Sequence, residues 1–191
     1  VKYLIAGLGN IGEGYADTRH NVGFVVADAL VKNLKGSFKV ERLASVSKVK
    51  FKGRTLVVIK PTTYMNLSGK AVKYWLEKEK IPVERLLVVV DDIALPTGSL
   101  RLRPKGGDAG HNGLTDIIAG LNTPGFARLR IGIGNNFAKG YQTDYVLGRW
   151  STSEINLMIP KIELAVEVIK SYVTIGIERT MTTYNREDKK G

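Results

Sequence analysis

The spacing of apolar positions changes several times along the chain, and each change predicts an element. Lys2 to Ala6 is a short strand-like run that stops at the turn Gly7 to Gly12. From Val22 to about Leu34 the apolar positions recur at helical spacing, with Asn21 as the expected N-cap. Two alternating segments, Ser47 to Phe51 and Thr55 to Lys60, flank Lys52-Gly53 and predict a hairpin that Pro61 ends. A helix is expected after Ser68 to about Lys80. Leu86 to Val90 is a continuous β-branched and Leu run, the pattern of a central strand covered on both faces. Leu100 to Arg103 alternates as a strand, Leu114 to Leu121 reads as a short helix and Leu129 to Ile133 as a further strand. Ser151 and Glu154 have the spacing of a capping box for a long C-terminal helix, which Pro160 is expected to kink or restart. The tail beyond about Thr182 is expected to fray.

Strands alternating with helices around one long buried strand define an α/β fold: a single domain over residues 1–191, with a mixed, mostly parallel twisted sheet flanked by helices. In such sheets ligands sit beyond the carboxyl ends of the strands. The first glycine turn and the acids Asp91 and Asp92 should therefore share one rim.

Composition narrows the chemistry. The 191 residues are 43% hydrophobic and carry a formal net charge of +11, a surplus that attracts polyanions over long range. No apolar run reaches the roughly 18 to 20 residues of a membrane span, and no basic-then-apolar signal region opens the chain. A cytoplasmic protein is the expectation. The chain has no cysteine, which excludes disulfides, thiolate metal ligands and cysteine nucleophiles. Gly7-x-Gly9-x-x-Gly12 matches a dinucleotide fingerprint, yet the polar stretch Glu13 to Arg19 lacks the apolar stripe of the helix it requires, and Asp28 falls inside a helix. A nucleotide-dependent oxidoreductase is therefore the weaker reading.

The two histidines are His20, in a polar loop before a helix, and His111, in Gly110-His111-Asn112-Gly113. A loop histidine taken alone reads as a surface residue, and a strand-end acid as a turn cap. Together, His20 and Asp91 could form a base and the carboxylate that fixes its tautomer. No serine sits in a nucleophile elbow, so water is the expected nucleophile. Asn10, Asn66 and Asn112 each read as turn residues singly. On one rim they could hold a peptide, orient a water or steady an oxyanion.

The segments carrying these residues closely resemble bacterial-type peptidyl-tRNA hydrolase. The matching stretches are Gly7-Leu8-Gly9-Asn10, Tyr15, Thr18-Arg19-His20-Asn21-Val22-Gly23-Phe24, Lys60 to Gly69, Asp91-Asp92, Leu95-Pro96, Gly110-His111-Asn112-Gly113-Leu114 and Arg128 to Gly134. The resemblance implies hydrolysis of the ester joining a peptide to tRNA, without metal or cofactor, in a monomer. It implies His20 as the base, Asp91 as its support and Asn10 as the group favouring blocked over free aminoacyl-tRNA. Tyr15, Tyr64, Met65, Asn66 and Asn112 are implied at the substrate, with His111 beside them. Arg103, Arg130 and Lys139 are implied on the surface that meets the acceptor stem and its phosphates. Three positions depart from the family: Ile11 where Pro is usual, Ala94 where an acid is common, Ala109 where Gly is common. The alternative is a non-catalytic RNA-binding protein on the same fold.

Overall fold

In the computed structural model, which describes residues 1–185, strand β5 (Leu86–Asp92) is buried at all seven positions. Its alternate side chains feed two different cores. Leu87 and Val89 join Ile5 and Val58 beneath helices α1 (Val22–Asn33) and α5 (Thr152–Ile175). Leu86, Val88 and Val90 join Leu4, Ala6, Val57 and Ile59 beneath α2 (Ser68–Glu79) and α3 (Asn112–Leu121). A side-chain period of two, with apolar residues in both phases, is what demands a helical layer on each face.

The sheet has seven strands in the order β2-β3-β4-β1-β5-β7-β6. The four central strands, β4 (Arg54–Pro61), β1 (Lys2–Gly7), β5 and β7 (Ala127–Gly132), run parallel. Antiparallel pairs flank them: β2 (Lys39–Glu41) and β3 (Ala44–Phe51) on one side, β6 (Leu100–Arg103) on the other. The mixed sheet expected from the sequence is present. The hairpin turns at Lys52 and Gly53, both at positive φ, the geometry that suits the strand twist.

Several local features depart from or add to what the sequence led one to expect. Asn21 makes no capping bond to α1, because the 3-10 turn Arg19–Asn21 leads straight into the helix and frees the side chain for another partner. Pro160 lies inside α5, which continues through it over 24 residues; apolar packing from Met158 to Val173 holds both halves on one face of the sheet. Helix α6 (Ile177–Tyr184) reaches the start of the tail expected to fray, and the rest of that tail, residues 186–191, lies outside the described residues. Strand β2, exposed at every position, and the five-residue helix α4 (Gln142–Val146) carry no periodic signal and were not anticipated.

One close approach sets the site. A Cβ on Gly23 would lie 2.5 Å from Leu8 N, Leu8 O and Val89 O, and one on Gly7 would lie 2.2 Å from Gly23 O. Without side chains there, α1 settles directly on the ends of β1 and β5. The turn that precedes α1 is thereby pressed against Asp91.

Candidate active site

Asp91, 4% exposed at the end of β5, accepts a hydrogen bond on each carboxylate oxygen. His20 Nδ1 lies 2.7 Å from Oδ2, and His111 Nε2 lies 2.8 Å from Oδ1. The tautomers follow from the remaining partners. His111 Nδ1 accepts from the backbone N–H groups of Gly113 and Leu114 at 3.1 and 3.3 Å, so its proton sits on Nε2 and points to Asp91. His20 donates from Nδ1, which leaves its Nε2 unprotonated and without a partner among the described residues. Burial by itself pushes the Asp91 carboxyl up; the electrostatic attraction of His111, then the hydrogen bonds from His111 and His20, outweigh it and hold the group well below the usual carboxylate range.

The three residues His20, Asp91 and His111 bring their ligand-type atoms within 4.8 Å of one another. They do not fit a metal ion. Binding through His111 Nε2 would require a proton on Nδ1, where two backbone N–H groups already point. Inserting an ion between Nδ1 of His20 and Asp91 would also widen their 2.7 Å separation to about 3.3 Å, the N···O span of a tetrahedral zinc site.

Asn10 is placed by Asn21, which is 1% exposed. Asn10 N–H donates to Asn21 Oδ1 at 2.9 Å, and Asn21 Nδ2 donates back to Asn10 O at 2.9 Å. Asn10 Oδ1 accepts from Met65 N–H at 2.6 Å. Its orientation is therefore settled: the oxygen is committed and the NH2 faces the crevice as a double donor. Asn21 was read as a cap; it is a buried clasp that sequence spacing alone could not reveal.

Asn10, His20, Met65, Asn66, Asp91, His111 and Asn112 all line one crevice of about 250 Å³. Residues 108–110 of the glycine loop and Gln142, Thr143, Val146 and Leu147 of α4 and its exit complete the wall. Asn66 and Asn112 are exposed, so their amides are presented rather than fixed. Tyr15 and Tyr64 meet edge-on at 6.4 Å outside this lining, with Tyr64 54% exposed directly before Met65.

The basic residues divide. Arg101 pairs across from Arg130, and Arg103 from Arg128, so all four arginines project from the same face of β6 and β7. They are placed differently: Arg128 is buried and Arg130 reaches the crevice. Partial burial, then the charges of Arg101 and Arg130, push the Arg103 guanidinium below its ordinary value. Arg130 also lines the crevice, with Nη1 3.7 Å from Asp92. Arg128 was missed as a distinct element: it is fully buried and donates to the carbonyls of Gly107 and Pro124 at 2.8 Å, without a carboxylate partner among the described residues. Burial and the neighbouring Arg130 push it down to about 10. It braces the glycine loop from beneath. The structure does not bring Lys139 into the crevice lining; it is exposed on the segment before α4.

An α/β sheet with a histidine–carboxylate pair at its carboxyl rim, facing a crevice that three asparagines line, is an arrangement able to do general-base chemistry. The model of the peptidyl-tRNA hydrolase family matches residues 4–191, and the chain belongs to that family. It is 54% identical over 187 residues to a peptidyl-tRNA hydrolase of Parabacteroides distasonis, covering 98% of this chain and all of the relative. It is 44% identical to that of Aquifex aeolicus over 97% of both chains. A crystal structure of peptidyl-tRNA hydrolase from Acinetobacter baumannii superposes with a TM-score of 0.91 at 34% identity, over 96% of this chain and 94% of the other.

Proposed function

We propose that this chain, acting as one catalytic domain, hydrolyses the ester between the C-terminal carboxyl of a peptide and the ribose of its tRNA. The observation that carries the reading is the free Nε2 of His20, fixed as an acceptor by the Nδ1–Asp91 bond and set in a crevice lined by three asparagines. Nε2 takes a proton from water as its oxygen attacks the ester carbonyl. The imidazolium so formed is stabilised by Asp91 and returns the proton to the departing ribose oxygen. Peptide carboxylate and tRNA hydroxyl are the products.

Asn10 Nδ2 is a preorganised donor for the oxyanion or the peptide, consistent with a role in preferring blocked over free aminoacyl-tRNA. Asn66 and Asn112 orient the peptide, Met65 forms the floor, and Tyr15 and Tyr64 meet the substrate at the rim. The arginine face, with Arg103 and Arg130, and the exposed Lys139 are assigned to acceptor-stem phosphates. His111, which lines the same crevice, also secures Asp91 through its Nε2. The chain works as a cytoplasmic monomer in translation, recycling tRNA from peptidyl-tRNA released by ribosomes. No helix of the described residues is long and apolar enough to cross a membrane. No observation favours the non-catalytic reading.

The test is release of peptide from an N-blocked aminoacyl-tRNA, with chelator present, by the wild type and by His20→Ala. Removing a general base should lower turnover by about 100- to 10,000-fold in a protein that melts normally. Near-wild-type turnover in folded His20→Ala would sink the mechanism.

A further inference from the structure

The crevice wall formed by α4 poses a problem of support. This helix has five residues, buries none of them and makes no side-chain cap. A helix of that length does not stand alone; Tyr145 and Val146 pack partly buried against the core, and polar ties do the rest. Tyr145 O–H donates to Ile133 O at 2.5 Å, which ties it to the end of β7. Most of its other ties lead to the two residues immediately before His20.

Arg19 is the centre of these ties. Its Nε and Nη2 form a forked pair with the two carboxylate oxygens of Glu154 at 3.2 and 2.9 Å. Its Nη1 donates to Tyr145 O at 3.0 Å, and its guanidinium stacks 4.2 Å from the centre of the Tyr145 ring. The backbone takes part as well: Arg19 N–H donates to Gly148 O at 3.0 Å, and Thr18 bridges to Arg149. Glu154 Oε1 also accepts from Ser151 N–H, so one carboxylate joins Arg19 to the start of α5. Exposed ion pairs contribute little to a fold. This one differs, because its side chains are only 14% and 18% exposed and the fork fixes their relative orientation.

We infer that Arg19 is a positioning residue, which locks the α4 wall of the crevice to the turn that carries His20. The inference rests on the proposed reaction. It assigns Arg19 to substrate retention rather than to the chemical step, since His20 is held independently by Asp91 and by the packing of Gly23. Base and wall are thus registered through one dipeptide, and the wall residues Gln142, Thr143, Val146 and Leu147 meet substrate at a fixed distance from Nε2.

The test uses Arg19→Gln, Glu154→Gln, their double variant, and Gly148→Ala. The last approaches the tether from the other side, because a Cβ on Gly148 would lie 2.7 Å from Arg19 Nη1. Amide exchange at Tyr145, Leu147 and Gly148, whose N–H groups close α4, reads the tether without substrate. It should quicken at least about tenfold in each variant. With N-blocked aminoacyl-tRNA, KM should rise at least about tenfold while kcat stays within about threefold and its pH profile is unchanged. The double variant should be no worse than the worse single one, as expected of one shared interaction. Unchanged exchange overturns the inference whether or not the protein is active. So does a fall in kcat at unchanged KM, which would place Arg19 in the chemical step, or full additivity in the double variant. A wild type without hydrolase activity would instead defeat the reading of function.

Discussion

The two sides of the crevice are built to different standards. On one side Asn10, His20, Met65 and Asp91 are all at most 8% exposed. Each is cross-tied: the Asn10–Asn21 clasp, the Asn10 bond to Met65, and the two histidines on one carboxylate. On the other side Asn66 and Asn112 are exposed, and the glycine loop rests on Arg128. Groups that must meet a reacting atom gain from being fixed before substrate arrives, since no reorganisation is then required at the transition state. Groups that must accept many peptide sequences gain from being adjustable. The difference separates chemistry from recognition, and substitutions on the two sides should separate in the same way.

The largest effect is expected from Asp91→Asn. An amide has a single acceptor oxygen, and two ring N–H groups compete for it. His111 Nδ1 is committed to accepting from Gly113 and Leu114, so His111 keeps its Nε2 proton and claims the oxygen. The NH2 of the new asparagine then faces His20 Nδ1 and forces the proton onto Nε2, where the base is lost. Turnover should fall about 100- to 10,000-fold. Adding His111→Ala frees the oxygen for His20 and should recover part of the loss in kcat. A double variant as slow as the single would show that the tautomer is not set this way. The same carboxylate carries a pH dependence. Its folded pKa is depressed, so its stabilisation is complete above the ordinary value near 3.9 and disappears as pH falls through the lower folded value. Asp91→Asn should accordingly show a shallower loss of stability below about pH 4 in acid titrations followed by circular dichroism.

Next comes Asn21→Ala, which leaves the backbone N–H and carbonyl of Asn10 buried and unpaired. A cost of about 1–3 kcal/mol is expected, with a fall in kcat as Asn10 loses its placement. For a chain of this size that is a drop in Tm of several degrees, about 2–4 °C for each kcal/mol. A melting temperature and kcat both equal to wild type would remove the clasp from the account.

Smaller still are the charge substitutions on the recognition side. Arg130→Ala and Lys139→Ala should each weaken tRNA binding and reduce the slope of log affinity against log salt by about one, with kcat for a short blocked substrate unchanged. The two need not behave alike. Arg130 belongs to the arginine face, whereas the structure leaves Lys139 apart from the crevice. An unaltered slope for Lys139 alone would confine the phosphate surface to β6 and β7.

The layers of the fold were legible because buried strands and amphipathic helices write their period directly into the chain. Leu86 to Val90 announced the central strand, and Ser151 with Glu154 announced the start of α5. The pairing of His20 with Asp91 came from residue type, the shared rim and resemblance, since 71 residues separate them and no periodicity joins them. What stayed illegible depends on contacts between segments. His111 reads as a loop residue until its ring is seen to reach back 20 residues to Asp91. Asn21 has the residue type of a cap, and the preceding 3-10 turn gives it a different use. Helix α4 is too short to show a stripe; only Tyr145 and Val146 pack against the core, and ties from Arg19 add to their hold.

The departure at Ala109 supplies the mildest probe of the adjustable side. Its φ is +50°, a left-handed conformation that glycine adopts freely and that costs an L-residue about 1–2 kcal/mol. That explains the preference for Gly at this position. Asp108 holds the loop around it, accepting Gly110 N–H at 2.9 Å on its side chain and His111 N–H at 2.8 Å on its carbonyl. Ala109→Gly relieves the strain but enlarges the unfolded ensemble, so the net gain should be at most about 1 kcal/mol, seen as a slightly higher Tm. Turnover should not change, because His111 and Asp91 are anchored through α3 and β5 rather than through this residue. If kcat instead fell as Tm rose, the strained loop would belong with the fixed side of the crevice, and the division between chemistry and recognition would have to be redrawn two residues before His111.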